Sequence, residues 1–381
     1  MTKPSNIKYQ ISNMRTPRVA IVHDWLYGGG AELVVEQLHK MFPEAPIYTS
    51  YCSDEWRARL DNKVVTGYLQ NKPFSSLRKL LPVLRQHWFK NLDLSQFDLI
   101  ISSSGNGEAK FVKRRPGATH ICYCHTPTHF YWSKYNEYLR SPSFRPKWLA
   151  RLGLRLLVKP LRRRDYKAAQ AVDYFIANST HIQNDISTYY KRESIVIHPP
   201  VDVDKFKTTN DQRQTINNQR FITWGRHIPY KRMELAVAAC TKLNLPLTII
   251  GTGPETSKLK KIAGPTVTFT GWVENDEVPK LARKASAFIF TAEEDFGIAP
   301  IEAMAAGLPV IAYKAGGALD YVKEGTTGTF FTEQTMESLI ASLKKFKAES
   351  YKPTTIAKSA EEFSSAKFRE HLTKFVRSIE K

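Results

Sequence analysis

The chain has 381 residues, 42% hydrophobic and 24% charged, which excludes collagen-like, fibrous and largely disordered architectures; because single cores stop growing near ~250 to 300 residues, two domains are expected. Its formal net charge of +20 lies mainly in the first half, where residues 1–200 hold 30 Lys/Arg against 15 Asp/Glu, a bias that predicts attraction to something anionic without choosing among nucleic acid, acidic lipid and phosphorylated substrates. Cys52, Cys122, Cys124 and Cys240 lack zinc-ligand spacing, and no leader-like apolar run or charge-poor stretch near ~20 residues occurs, so a cytosolic chain that does not span a membrane is expected.

In chain order, short apolar runs alternate with segments of helical period, the pattern of strand-helix-strand units around parallel sheets. Strands are predicted over Arg18–Trp25, Pro46–Tyr51, Asp98–Ser102, Thr119–Tyr123 and Tyr174–Asn178, with a helix over Ala31–Met41. The first strand gives way to Gly28, Gly29 and Gly30 just before that helix. Glycines there let backbone N–H groups approach an anion closely, so the loop reads as a phosphate site or as a plain turn. Its spacing fits neither the dinucleotide fingerprint nor the P-loop, which disfavours oxidoreductases and NTPases of those kinds.

Residues 140–167 carry ten Lys/Arg and one acid. Lys147, Arg151, Arg155 and Lys159 repeat every four residues, Arg162, Arg163 and Arg164 extend the patch, and Trp148, Leu149, Leu152, Leu156 and Leu157 fill other positions. Such a helix lies on an anionic membrane surface, or else packs its apolar side on its own domain. The run from Ile195 ends in Pro199 and Pro200, and 208–218 is polar without periodicity, so the domain boundary falls near Pro199 to Arg220. This gives domains of 1–200 and 201–360.

In the second half, strands are predicted over Phe221–Trp224, Leu247–Ile250, Val267–Thr270, Ala287–Phe290 and Val310–Ala312. The first runs into Gly225, Arg226 and, five residues on, Lys231. Cations just past the carboxyl end of a strand stand where open α/β sheets bind ligands, and a guanidinium fork beside a compact ammonium suits a diphosphate that gains charge as it leaves. A solvated helix start is the other reading. Glu294 and Glu302 flank Phe296, Gly297 and Ile298 at a helix N-terminus, where two carboxylates can grip hydroxyls and free N–H groups can meet sugar or phosphate oxygens.

Together, Gly225-Arg226 with Lys231, Gly271-Trp272-Val273, Glu294 and Glu302 with Phe296-Gly297 between them, the run Glu302 to Gly307, and Gly316-Gly317 resemble the retaining GT-B glycosyltransferases of family 4. Val22-His23-Asp24-Trp25-Leu26, Gly29-Gly30-Ala31-Glu32, the run Phe42 to Thr49, and Cys124-His125-Thr126-Pro127 resemble the GDP-mannose-dependent mannosyltransferase branch of bacterial surface polysaccharide synthesis. The resemblance covers residues 18–331. It implies an α/β protein of GT-B architecture, two Rossmann-like doubly wound domains facing an interdomain cleft, with a tail helix over 361–381 returning to the first domain.

The same resemblance implies a nucleotide-sugar donor, GDP-mannose, on the second domain, a glycan or lipid-linked acceptor on the first, and neither cofactor nor metal. Arg226 and Lys231, beside Gly225, would hold the diphosphate, Glu302 the ribose hydroxyls, and Glu294 the transferred sugar with the N–H groups of Phe296, Gly297 and Ile298. Gly28, Gly29 and Gly30 would close over the phosphates. Gly271 and Trp272 would mark the base pocket, His125 would reach the donor sugar, and Asp24 would orient the acceptor hydroxyl or cap the glycine turn. The implied reaction is a front-face displacement. Two rivals stay open: a GT-B enzyme using a UDP-sugar, for transfer or epimerisation, and a basic nucleic-acid-binding protein, for which Tyr131, Trp132 and Tyr135 would stack but no recognised motif speaks.

Overall fold

The computed structural model describes residues 17–77, 81–140, 146–207, 219–274 and 276–379, so the polar stretch 208–218 lies outside the described residues. Seven strands form the first sheet: β1 Val19–His23, β2 Ile47–Thr49, β3 Val64–Val65, β4 Leu99–Ser104, β5 Thr119–Cys124, β6 Tyr174–Ala177 and β7 Ser194–Val196. Six form the second: β8 Phe221–Trp224, β9 Leu247–Ile250, β10 Val267–Gly271, β11 Ala287–Phe290, β12 Val310–Tyr313 and β13 Gly328–Phe331. The strand orders are β3-β2-β1-β4-β5-β6-β7 and β10-β9-β8-β11-β12-β13, with every pairing parallel.

Helices cover both faces of each sheet, which is why β1, β4, β8 and β11 are buried at every residue; β1, β8 and β11 read as near-continuous apolar runs instead of alternating ones. β4 continues beyond the predicted end through Ser103 and Ser104, both buried. Two of the three serines find partners, Ser102 Oγ lying 2.8 Å from His120 Nε2 and Ser103 Oγ 2.8 Å from His125 Nε2, whereas the buried Ser104 hydroxyl has none among the described residues. β13 was not foreseen, since it opens on a glycine. A Cβ on Gly328 would stand 2.0 Å from the Val310 carbonyl oxygen, so close strand packing requires that residue.

The chain crosses between the sheets twice, side by side. After β7, Val201, Val203 and Phe206 enter the second core with Trp224 and Phe288, and the return passes Phe363, whose carbonyl accepts from the Val201 N–H at 2.9 Å. The helix Ser365–Ile379 then lies on the first sheet, burying Phe368, Leu372 and Val376, one turn apart, against Ile21, Ile47 and Tyr123.

Candidate active site in the interdomain cleft

Because all strands are parallel and the two sheets face each other, the loops after β1 and β5 meet those after β8 and β11 across one cleft of about 810 Å³. The first domain supplies Gly28, Gly29, Gly30, His125, His129, Lys134 and Asn178, and the second supplies Arg226, Lys231, Glu294, Asp295, Phe296, Gly297, Ile298 and Glu302.

On the second-domain wall, β8 ends at Trp224 and the chain turns at Gly225, whose φ is +138°. A Cβ there would come within 3.3 Å of Lys231 Cε, so the glycine lets the lysine lie across the strand end. Lys231 closes a 3-10 turn, its carbonyl accepts from Thr291 Oγ1 at 2.8 Å, and its ammonium pairs with Glu294 Oε1. Arg226 is exposed and has no acidic partner among the described residues, so its guanidinium stands available to an anion. Glu302 accepts a 2.9 Å hydrogen bond from the Trp224 indole. Burial pushes its carboxyl above the ordinary value, and the indole offsets part of that rise.

The loop carrying Glu294 is held from behind by glycines. Cβ atoms on Gly316 and Gly317 would stand 2.3 Å from the Glu294 carbonyl and 2.4 Å from Phe296 Cα, and the Gly317 N–H donates to the Glu294 carbonyl at 2.8 Å. Phe296 is buried, stacks on His198 and meets Tyr321 edge-on, while Gly297 takes φ +90° to start the helix Ile298–Ala305.

Across the cleft, His125 follows β5. Burial first, and repulsion from His23 second, push its pKa down to about 3, so the imidazole is neutral. His23 Nδ1 lies 2.9 Å from the Ser103 carbonyl, which requires that nitrogen to donate, and 3.1 Å from Ser103 Oγ. Ser103 Oγ also lies 2.8 Å from His125 Nε2, so one hydroxyl bridges the two imidazoles.

Three further expected residues have surroundings that the sequence did not announce. Asp24 is 1% exposed, and its carboxylate accepts from the N–H groups of Gly105 at 2.7 Å, Asn106 at 2.6 Å and Ala109 at 2.6 Å. It ties the loop after β4 and does not cap the glycine turn. The Gly28 N–H already donates to Glu32 Oε1 at 3.0 Å, so a carboxylate of the chain itself fills that part of the anion nest. Gly29 and Gly30 remain at the cleft, where a Cβ on Gly30 would meet Ile298 Cδ1 at 2.5 Å. Gly271 and Trp272 end an edge strand, and Trp272 is 67% exposed and outside the cavity that gathers the others.

Sequence reasoning missed the polar seam between the domains. His129 Nε2 lies 2.9 Å from Asp295 Oδ2, Ser179 Oγ donates to the Asp295 carbonyl at 2.5 Å, and the Thr180 N–H donates to Asp320 Oδ2 at 2.8 Å. Burial raises the Asp295 pKa, but His129, Lys134 and His181 together hold it below the ordinary value. The available signal was a second histidine four residues after His125 and a third acid beside Glu294.

Residues 28–205 match the family model Glycosyltransferase Family 4, and residues 204–363 match Glycosyl transferases group 1. A sulfoquinovosyl transferase of Arabidopsis thaliana is 32% identical over 144 residues, covering 36% of this chain and 28% of that protein. A GDP-mannose-dependent alpha-(1-6)-phosphatidylinositol monomannoside mannosyltransferase of Mycobacterium tuberculosis is 26% identical over 196 residues, covering 45% of this chain and 51% of that one. The matched spans thus take in about half or less of these relatives' lengths. Among solved structures, Anabaena HepE in complex with UDP superposes with a TM-score of 0.69 at 20% identity, over 95% of this chain and 100% of that one. Sucrose-phosphate synthase of Thermosynechococcus elongatus does so with a TM-score of 0.68 at 17% identity, over 96% and 99%. The shared architecture of two facing parallel-sheet domains is GT-B.

Proposed function

From the GT-B fold that this chain shares with the family 4 and group 1 glycosyltransferases, we propose that it transfers a hexose, mannose from GDP-mannose, to a glycan or lipid-linked acceptor with retention of configuration. The observation that carries this reading is the convergence of Arg226, Lys231, Glu294, Glu302 and His125 on one cleft at the carboxyl ends of both sheets.

In this reading Arg226 and Lys231 take the diphosphate, and Glu302 the ribose hydroxyls. Glu294 and the N–H groups of Gly297 and Ile298 hold the sugar. The bond from the anomeric carbon to the phosphate oxygen breaks, and the acceptor oxygen bonds to the same face. The acceptor's proton passes to the departing phosphate oxygen, and the two cations stabilise the charge that develops there. His125, held neutral, hydrogen-bonds a sugar hydroxyl and does not serve as an acid. No step calls for a metal ion.

The mannose assignment is supported by the motifs of the first domain and by the GDP-mannose-dependent enzymes among the relatives. A UDP-sugar donor is the second reading, favoured by the UDP carried in the HepE structure. A thermal-shift panel of GDP-, UDP- and ADP-sugars separates them, since a ligand at about 100 times its dissociation constant stabilises by ~2.7 kcal/mol. GDP-mannose is expected to give the largest shift, abolished by Arg226→Ala. An equal or larger response to UDP-glucose overturns the donor assignment, and no response to any nucleotide sugar overturns the enzyme.

A further inference from the structure

We propose that the outward face of the helix Lys147–Gln170, with an arginine-lined groove beside it, is a docking surface for a bilayer bearing anionic phospholipid headgroups. The helix buries Val158, Leu161, Asp165 and Ala169, with Asp165 receiving Lys110, Trp132 and Tyr190. At about 100° per residue, Trp148, Leu149, Leu152 and Leu156 occupy a single arc roughly opposite that buried stripe. They are 66%, 46%, 46% and 67% exposed, and Leu157 is 55% exposed. The apolar side of this helix therefore does not pack on its own domain. Four large apolar side chains displayed on one arc mark an interaction surface, whereas scattered ones would not.

Lys147, Arg155, Lys159, Arg163 and Arg164 surround the patch, all exposed and none with an acidic partner among the described residues. Beside them, an open groove of about 600 Å³ is lined by Asn136, Leu139, Arg140, Arg151 and Arg155. Arg151 fixes its geometry by donating from Nε to the Leu139 carbonyl at 2.9 Å and from Nη2 to the Arg140 carbonyl at 3.1 Å. Arg140 and Arg155 remain as guanidinium forks for a phosphodiester, while Trp148 and the leucines enter the boundary between headgroups and acyl chains.

Charge selects this occupant. A second copy of the chain would set two clusters of unpaired cations against each other, since the sole acid of residues 140–167 is the buried Asp165. A nucleic-acid backbone would leave the leucines and Trp148 in water. An anionic bilayer matches both the charged and the apolar parts. Tyr138 and Lys134, on the segment that leads into the groove, also line the cleft, so the surface sits beside the entrance. Only a link between docking and delivery of a lipid-linked acceptor rests on the transferase reading; docking does not.

The test is co-sedimentation of the full chain with phosphatidylcholine vesicles, with and without phosphatidylglycerol. Binding is expected to the anionic vesicles only and to weaken with salt. Each basic residue near the surface contributes about fivefold, so Arg155→Gln with Lys159→Gln should lower partition roughly 25-fold. Leu152→Ser with Leu156→Ser should lower it at least about tenfold with the melting temperature unchanged, because both side chains are exposed. Equal binding to neutral vesicles, full binding by the leucine variant, a lipid-free dimer that this variant dissolves, or RNA that displaces the vesicles would each overturn the proposal. No donor is present, so failure here leaves the transferase reading standing.

Discussion

Lys231 has two possible employments, and a double-mutant cycle distinguishes them. Its ammonium pairs with Glu294, and the two side chains are only 15% and 18% exposed, so the pair is too enclosed to be treated as a surface salt bridge. If Lys231 served only to neutralise Glu294, then Lys231→Met would strand a half-buried carboxylate, and adding Glu294→Gln would remove that penalty. Coupling between touching charged groups runs to ~0.5 to 3 kcal/mol, so the second substitution would restore up to roughly a hundredfold. If Lys231 instead stabilises charge on the departing diphosphate, its removal costs ~3 to 4 kcal/mol of barrier, or about 10²- to 10³-fold in kcat, and neutralising Glu294 restores none of it. The second outcome is expected. Release of GDP from GDP-mannose under single-turnover conditions measures it without any knowledge of the acceptor, because water can take the sugar. Because Glu294→Gln alone also loses its contact with the sugar, the double variant is compared with the product of the two single effects, and an excess of more than about tenfold over that product would refute the phosphate role.

Gly30→Ala should raise the donor KM several-fold by pressing its Cβ on Ile298 Cδ1, and Ile298→Val, which deletes that methyl, should restore it; failure of the rescue would mean that the loop does not meet the second domain during turnover. Trp224→Phe removes the donor that favours ionised Glu302, so the Glu302 pKa should rise further and the loss of donor binding on acidification should begin at higher pH; titration calorimetry across pH reads the displacement. With its pKa pushed down to about 3, His125 stays neutral from pH 5 to 8, so His125→Gln should lower kcat without removing any inflection in that range; loss of an inflection near neutrality would make it an acid or base. Lys110→Met should destabilise the first domain by about 3 to 5 kcal/mol, because it leaves Asp165 buried opposite nothing but the Trp132 and Tyr190 donors; thermal unfolding in the absence of ligand measures the cost.

The sheets were legible in the sequence because a strand covered on both faces must be apolar throughout, and Phe221–Trp224, Leu247–Ile250 and Ala287–Phe290 occupy the expected residues. β13 was not, because its glycine is needed by a neighbouring carbonyl, a long-range requirement that leaves no local signature. The cleft shows the same division. Arg226, Lys231, Glu294 and Glu302 could be placed together from strand ends and helix starts alone. Asp24 could not be read, since a carboxylate at a strand tip looks identical whether it faces solvent or satisfies the N–H groups of a loop 81 residues away. Glu32 misled for a related reason: the glycines announce an anion nest, and nothing local says that the first anion to occupy it belongs to the chain.

The residues missed are those whose partners lie in the other domain, and this bears on how the cleft works. His129 with Asp295, Ser179 with the Asp295 carbonyl and Thr180 with Asp320 are hydrogen bonds, whereas each domain keeps its apolar core within itself apart from the crossing at Val201 and Phe363. A seam of this kind can part without exposing a core, because its groups exchange one another for water at little net cost. The two crossings lie side by side, bridged by the Val201 N–H to Phe363 carbonyl bond, so rotation about that narrow connection changes the width of the cleft more than its floor. Arg226 and Lys231 line one wall of that cleft and Gly29, Gly30 and His125 the other, so under the proposed function such a rotation would bring both walls onto one diphosphate, and the polar seam would set how readily the product leaves.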